Sequence, residues 1–338
     1  MRIAQLPMPI PESGEILIEV KAAGVNAIDW FTANAFRKLP SFLRIFPYVP
    51  GKDVSGVVVE VGPNSGEWKE GDEAMGLTGF SFDLASLNSA TIASGSYGTY
   101  TTLDASTSAK KPSNVSHVDA AGIPLAALTA WKALVDTAEL KDGSKVLILG
   151  GAGGVGTLAI QLAKAHCKCD TVAVTCSESS SALVKSLGAD LVIDYKKENF
   201  EQVLEGSDYD CVLDAIGYDD KCRRAAKVLK KGSGILVDLT GPPSLGHLRK
   251  GEQMDSFTQY LNSTSDDGPS VRYQLVGIEP NGPALRTIAS YFESGEMKPV
   301  TDKVYVGLGS VQDAFDFNKS GGAHGKLVID LQEPAPSE

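Results

Sequence analysis

Residues 147–164, LILGGAGGVGTLAIQLAK, set five glycines between an apolar β-type run and a helical one. Gly151, Gly153 and Gly156 give the spacing G-x-G-x-x-G directly after the run KVLIL (145–149). That spacing alone is weak evidence, but in the first strand–helix turn of an alternating domain it points to a dinucleotide. Glycines permit a tight turn and close approach of a ligand to the backbone. The helix start then directs free N–H groups and a partial positive charge at a pyrophosphate. The competing explanation is a tight turn that merely packs helix on strand.

Working outward, the runs TVAVT, DLVID, YDCVLD, GILVDL and RYQLVGI follow KVLIL at intervals filled by helical patterns. Strand–helix alternation predicts parallel strands joined by right-handed crossovers, a doubly wound α/β sheet. Upstream, residues 15–103 read as short strands between Gly and Pro, in EILIEV, VSGVVVEV and GTYTTL. A longer helical pattern, HVDAAGIPLAALTAWKALVDTA (117–138), follows Ser116, with Asp119 three residues on as in a capping box. After the helix PALRTIASYFESG, β-type runs return in KPVTDKVYV and GKLVIDL. A β-rich domain is therefore expected to be interrupted by the α/β domain and completed afterwards. EPAPSE (333–338) reads as a disordered tail.

The chain's 338 residues are 43% hydrophobic and 22% charged, an ordinary globular composition long enough for two cores. A net charge of −11 without a basic stripe argues against a nucleic-acid partner. No apolar run approaches the ~20 residues of a membrane span, and residues 1–15 lack a signal-peptide core. The five cysteines, Cys167, Cys169, Cys176, Cys211 and Cys222, form no C-x-x-C. Free thiols in a reducing compartment, with the cytoplasm as default, are the expectation.

The choice of dinucleotide turns on the strand TVAVT, which runs into CSESSS. NAD-type folds usually carry an acid about 20 residues past the glycines to hold the ribose 2′-hydroxyl. Here Thr175, Cys176 and Ser177 occupy that tip, leaving room and donors for a 2′-phosphate, so NADPH is favoured over NADH. Glu178 opposes that phosphate unless it points to solvent. The alternative is a plain polar loop.

The segments AGVNAID (23–29), PGKDVSGVVVEVG (50–62), WKEGDEAMG (68–76), AAGIPLAALTAW (120–131), the glycine turn, LGADLVIDY (187–195) and GGAHGKLVIDL (321–331) occur together in order. This set resembles the medium-chain dehydrogenase/reductase superfamily, specifically its zinc-free quinone oxidoreductase branch, over nearly the whole chain. The resemblance implies a GroES-like catalytic domain (1–123 and 296–338) around a Rossmann domain (124–295), with the active site in the cleft. The usual first strand of the family is missing, which suggests a truncated or atypical start.

The resemblance also bears on metal. Zinc-dependent relatives place Cys where this chain has Asn26 and His where it has Lys52; the third ligand position, near IPLAA, has neither. An amide and an ammonium cannot build a zinc site, so no metal is expected. The chemistry implied is NADPH-dependent reduction of a quinone or an α,β-unsaturated carbonyl, in which conjugation spreads the developing charge. Asn26 is the candidate hydrogen-bond donor to substrate or cofactor ribose, or else only the cap of the following helix. Lys52, Tyr97 and Tyr100 are candidate donors to an enolate-like oxygen, and Lys52 has the alternative of pairing with Asp29 or Asp53. Trp30, Phe31 and Phe36 could line an apolar pocket or belong to the core.

The match further assigns Ala152, Gly153, Gly154 and Val155 to the phosphate turn, and Thr129 and Leu239 to the nicotinamide side. It places Tyr195 near the adenosine 2′-phosphate. His324 and Lys326, in the loop GGAHGK, are expected to add positive charge over the cofactor. The family lysine sometimes found after Ser177 is absent, with Ser180 near its place. Zinc-free relatives often form homodimers by pairing outer Rossmann strands, a role that RYQLVGI fits. A nucleotide-binding regulatory or interaction protein with little turnover is the second class of function, since fold alone does not settle activity.

Overall fold

Glu15–Val25 (β1) is the strand around which the β-rich part of the chain is built. Ile16, Leu17, Ile18, Val20, Ala22, Ala23 and Val25 are all buried, as expected for a strand covered on both faces. It pairs antiparallel with Asp53–Val61 (β2), with Tyr100–Asp104 (β4) and with the late strand Lys326–Asp330 (β13). Glu73–Leu77 (β3), Ala109–Lys110 (β5) and Thr301–Val306 (β12) complete the sheet in the order β12-β13-β1-β2-β3-β5. The helix Ala27–Lys38 (α1) leaves β1 after a single residue, Asn26.

This computed structural model describes residues 2–38, 48–79, 95–217, 221–240 and 272–332. The chain divides into two compact units, Met1–Leu128 with Glu279–Glu338, and Thr129–Ile278. The boundaries expected from sequence were 123/124 and 295/296. The difference lies mainly in the helix Gly282–Glu293 (α5), which belongs to the first unit. Its Ala284, Leu285, Ile288 and Phe292 are buried. Arg286 donates to Ser106 O at 3.0 Å, and Asn114 Nδ2 donates to Phe292 O at 2.9 Å. Side-chain pairing, not spacing along the chain, decides where this helix belongs.

The long helical pattern at 117–138 resolves into three pieces. His117–Ala121 (α2) starts at Ser116, whose hydroxyl accepts the Asp119 N–H, the cap expected. Pro124 then opens Pro124–Trp131 (α3); lacking an N–H and disfavouring helix at the residue before it, proline ends one helix and begins the next. Lys132–Thr137 continues as a π-helix.

The second unit holds Lys145–Leu149 (β6), Thr171–Cys176 (β7), Leu191–Asp194 (β8), Cys211–Asp214 (β9), Ile235–Asp238 (β10) and Arg272–Leu275 (β11). They pair parallel throughout in the order β11-β10-β9-β6-β7-β8. Read from β8, this is the 3-2-1-4-5-6 order of a Rossmann sheet, reversing direction between β6 and β9. Gly154–Ala165 (α4) follows β6. Leu147, Val212 and Leu236 pack with Phe200 in the core. Among the described residues no helix is long and apolar enough to cross a membrane.

Candidate functional site

In the second unit the site begins at the turn between β6 and α4. Gly150 adopts a left-handed φ of +83°, and the Gly151 N–H bonds to Thr175 O at 2.9 Å. A Cβ on Gly156 would collide with the backbone of Gly150 and Gly151, so helix and strand approach as closely as they do only because the residue is glycine. Gly153 is the N-cap and supplies no side-chain bond to the helix start. Gly153, Gly154 and Val155 are half-exposed while Ala152 is buried. The first-turn N–H groups of α4 are thus left for an anion.

The tip of β7 is polar and carries no carboxylate. Thr175 faces inward, accepting the Gly150 N–H at 3.1 Å, so it serves the turn rather than a ligand. Ser177 Oγ lies 2.9 Å from Ser179 Oγ and 3.3 Å from Ser180 Oγ. Tyr195, 52% exposed, follows β8, and its N–H reaches Cys176 O at 3.3 Å. Glu178 is exposed and pairs with Lys197 at 2.5 Å. Lys196 sits 6.0 Å from the Tyr195 ring centre. Lys196 and Lys197, two residues that sequence reading passed over, bring positive charge to this corner, Lys197 beside Glu178 and Asp194. Their signal, KK directly after VIDY, is visible only once β8 is known to end beside β7. Thr129 is buried in α3, and Leu239 is half-buried, its N–H bonded to Asp214 O at 3.0 Å.

The first unit brings a second set of residues together. Asn26, between β1 and α1, is buried. Its Nδ2 donates to Asp53 Oδ2 at 2.8 Å, and its Oδ1 accepts from Lys326 Nζ at 2.6 Å. Lys326 also reaches Asp53 Oδ2 at 3.2 Å and Val25 O at 3.3 Å. Asp53 Oδ1 accepts the Leu125 N–H at 2.6 Å. Gly24 is required beside this cluster, since a Cβ there would meet Asp53 and Ala121 O.

Several expectations change here. Lys326 does not extend from the GGAHGK loop as a surface charge. It opens β13, so its stem points into the unit and its ammonium is buried against Asp53. The cation answering Asp53 is Lys326, not Lys52; Lys52 Nζ donates to Gly79 O at 2.5 Å, and burial pulls its pKa down. Asn26 has its amide engaged at both ends within the protein. Nor does its side chain cap α1: its backbone N–H is instead accepted by Asp29 Oδ2 at 2.8 Å. Tyr97 donates to that same oxygen at 2.8 Å and is buried. Tyr100 stands partly exposed on β4.

Asp29 is fully buried and its pKa is raised to about 7, first by desolvation, against the bonds from Asn26 and Tyr97, with Asp53 adding repulsion and Lys326 attraction. Its Oδ1 has no hydrogen-bond partner among the described residues. Trp30 packs half-buried against the core, bonding Asn318 Oδ1 through Nε1 at 3.0 Å; Phe31 is exposed, and the Phe36 side chain lies outside the described residues. His324 is exposed, and its backbone N–H bonds Asp302 at 3.1 Å. Among the described residues no group of three His, Cys, Asp or Glu side chains could hold a metal ion.

Residues 12–113 match the family model for the alcohol dehydrogenase GroES-like domain, and residues 187–329 match one described as zinc-binding dehydrogenase. The chain is 37% identical to the 2-methylene-furan-3-one reductase of Solanum lycopersicum, covering 96% of this chain and 74% of that protein. It is likewise 37% identical to the chloroplastic NADPH-dependent alkenal/one oxidoreductase of Arabidopsis thaliana, over 96% and 74% of the two chains. The solved quinone oxidoreductase of Coxiella burnetii superposes with a TM-score of 0.78 at 28% identity, over 98% of this chain and 95% of that one.

Proposed function

The chain belongs to the medium-chain dehydrogenase/reductase superfamily, in its quinone oxidoreductase branch, and from that premise we propose an NADPH-dependent, zinc-independent reductase. Its acceptor is a quinone or the C=C bond of an α,β-unsaturated carbonyl. The observation that carries the reading is the turn 150–156: an uncapped helix start behind an essential glycine, next to a strand tip lined with hydroxyls and no acid. Gly153, Gly154 and Val155 hold the pyrophosphate. Ser177, Tyr195 and the flanking Lys196 and Lys197 hold the 2′-phosphate, Lys197 exchanging Glu178 for it. Thr129 and Leu239 complete the cofactor contacts offered by this unit.

NADPH, when bound, supplies the hydride, and a conjugated acceptor disperses the resulting negative charge, so the protein's share is orientation and a few donors. We assign the donor toward the substrate oxygen to half-buried Lys52, whose ammonium also serves Gly79 O. Asn26 then shapes the site as a fixed surface. The test is NADPH oxidation over a panel of quinones and enones. Turnover with both classes that survives a chelator, from protein free of stoichiometric zinc, is the expected result; activity lost on chelation and restored by zinc overturns zinc independence.

A second reading, a nucleotide-binding protein with little turnover, is favoured by one observation, the internal engagement of Asn26 and Tyr97. Tight NADPH binding without oxidation of any acceptor would select it. For assembly we propose a homodimer through β11, an edge strand with Leu275 exposed, because pairing an open edge across a two-fold axis covers it. Light scattering at micromolar concentration distinguishes dimer from monomer. The five cysteines are buried and form no disulfide, which suits a reducing compartment, and we propose the cytosol.

A further inference from the structure

Two acids and one ammonium share the buried cluster at the start of α1. Lys326 lies against Asp53 and the Asn26 amide, and among the described residues no cation pairs with Asp29 in the same way. Asp29 receives two donors on one oxygen, Asn26 N–H and Tyr97 O–H, and nothing among the described residues on the other. A carboxyl group so arranged is half bonded as an ionised acceptor should be, and half empty as a protonated oxygen can be. An ionised carboxylate with one oxygen buried and unbonded carries the full desolvation cost; a proton on that oxygen removes the charge.

We propose that Asp29 carries a proton on Oδ1 in the working enzyme and is a positioning residue for Asn26, which loses its fixed orientation when Asp29 ionises. The inference rests on the reductase reading for its effect on turnover, though not for the protonation itself. The mechanism follows from who faces Asp29. From β2 comes Asp53, and from β13 comes Lys326. Tyr97 arrives from the segment ahead of β4, and Lys52 and Tyr48 from the segment ahead of β2.

With Asp29 neutral, Lys326 answers Asp53 alone, and the pair grips both ends of the Asn26 amide. Release of the Asp29 proton to solvent puts a second negative charge beside the same ammonium. Lys326 is then drawn toward two carboxylates, and its 2.6 Å bond to Asn26 Oδ1 is the contact that gives way. The raised Asp29 pKa of about 7 places this change in the neutral range.

Infrared difference spectra of the cofactor-free full chain, titrated from acid to mildly alkaline pH, read the acid directly. A protonated-carboxyl C=O band should disappear with a midpoint near pH 7 in the wild type and be absent in Asp29→Asn. In Tyr97→Phe, which removes a bond favouring the ionised form, the midpoint should move upward. Turnover with a quinone should fall several-fold as the wild-type band is lost and be flat over the same range in Asp29→Asn. A band that does not titrate near neutrality, a band that persists in Asp29→Asn, or a wild-type pH profile in that variant would each overturn the proposal. If no acceptor is reduced at all, the reductase reading fails, and the infrared midpoints still decide whether Asp29 holds its proton.

Discussion

The ammonium of Lys326 lies 2.6 Å from the amide oxygen of Asn26, across 300 residues of sequence. It also pairs with Asp53, whose side chain is fully buried. One cation, delivered by β13, thus holds together the segments around Asn26 and Asp53.

Removing that cation should be costly. Lys326→Met leaves Asp53 as a buried charge without its partner, a change that typically costs about 3–5 kcal/mol. Urea denaturation should show a loss of this size, and adding Asp53→Asn should recover part of it. A loss under about 1 kcal/mol would mean that the pair contributes little.

The Asp29 pKa also predicts how stability varies with pH. Its folded value, about 7, lies above the ordinary 3.8, so between these limits the folded chain keeps a proton that the unfolded chain has released. The contribution to stability is therefore greatest below about pH 4, falls as pH rises toward 7 and is level above. Three units correspond to a change on the order of 4 kcal/mol. The stability difference between Asp29→Asn and wild type should shift by this amount in favour of the variant across that window. A difference constant with pH would refute the shift.

Nucleotide choice is tested at the tip of β7. Ser177→Asp places a carboxylate among hydroxyls proposed to meet the 2′-phosphate. NADPH should bind at least about tenfold more weakly, a penalty near 1.4 kcal/mol, while NADH binding holds or improves. Fluorescence titration of both nucleotides measures the ratio, and an unchanged ratio would remove Ser177 from the phosphate site.

Gly156→Ala probes the phosphate turn itself. The added methyl has no space against the backbone of Gly150 and Gly151. Overpacking of this kind costs about 1–3 kcal/mol, and the turn should open enough to weaken both nucleotides alike. Thermal unfolding with and without NADPH should show a lower midpoint and a smaller stabilisation by ligand.

The nucleotide unit was legible because its signals are local: five glycines after KVLIL, and strands alternating with helices at short intervals. The same locality explains what stayed hidden. Lys326 looks like a loop charge until β13 is seen beside β1, because its partners lie hundreds of residues away. Lys196 and Lys197 acquire meaning only from the adjacency of β7 and β8. Asn26 was recognised as central, yet its neighbours, not its type, determine that both ends of its amide face the protein. α5 has a helical pattern that any unit could bury, and only its bonds to Ser106 and Asn114 reveal which one does.

The pairing of β1 with β13 fixes an order of events during synthesis. The second unit lies wholly within Thr129–Ile278 and has its own core, so it can close while the ribosome is still at work. β1, made far earlier, keeps an unmatched edge until residues 326–330 emerge. Such an edge invites pairing with other nascent chains. Premature termination ahead of Lys326 should therefore yield a chain that still grips nucleotide but aggregates through its unfinished sheet.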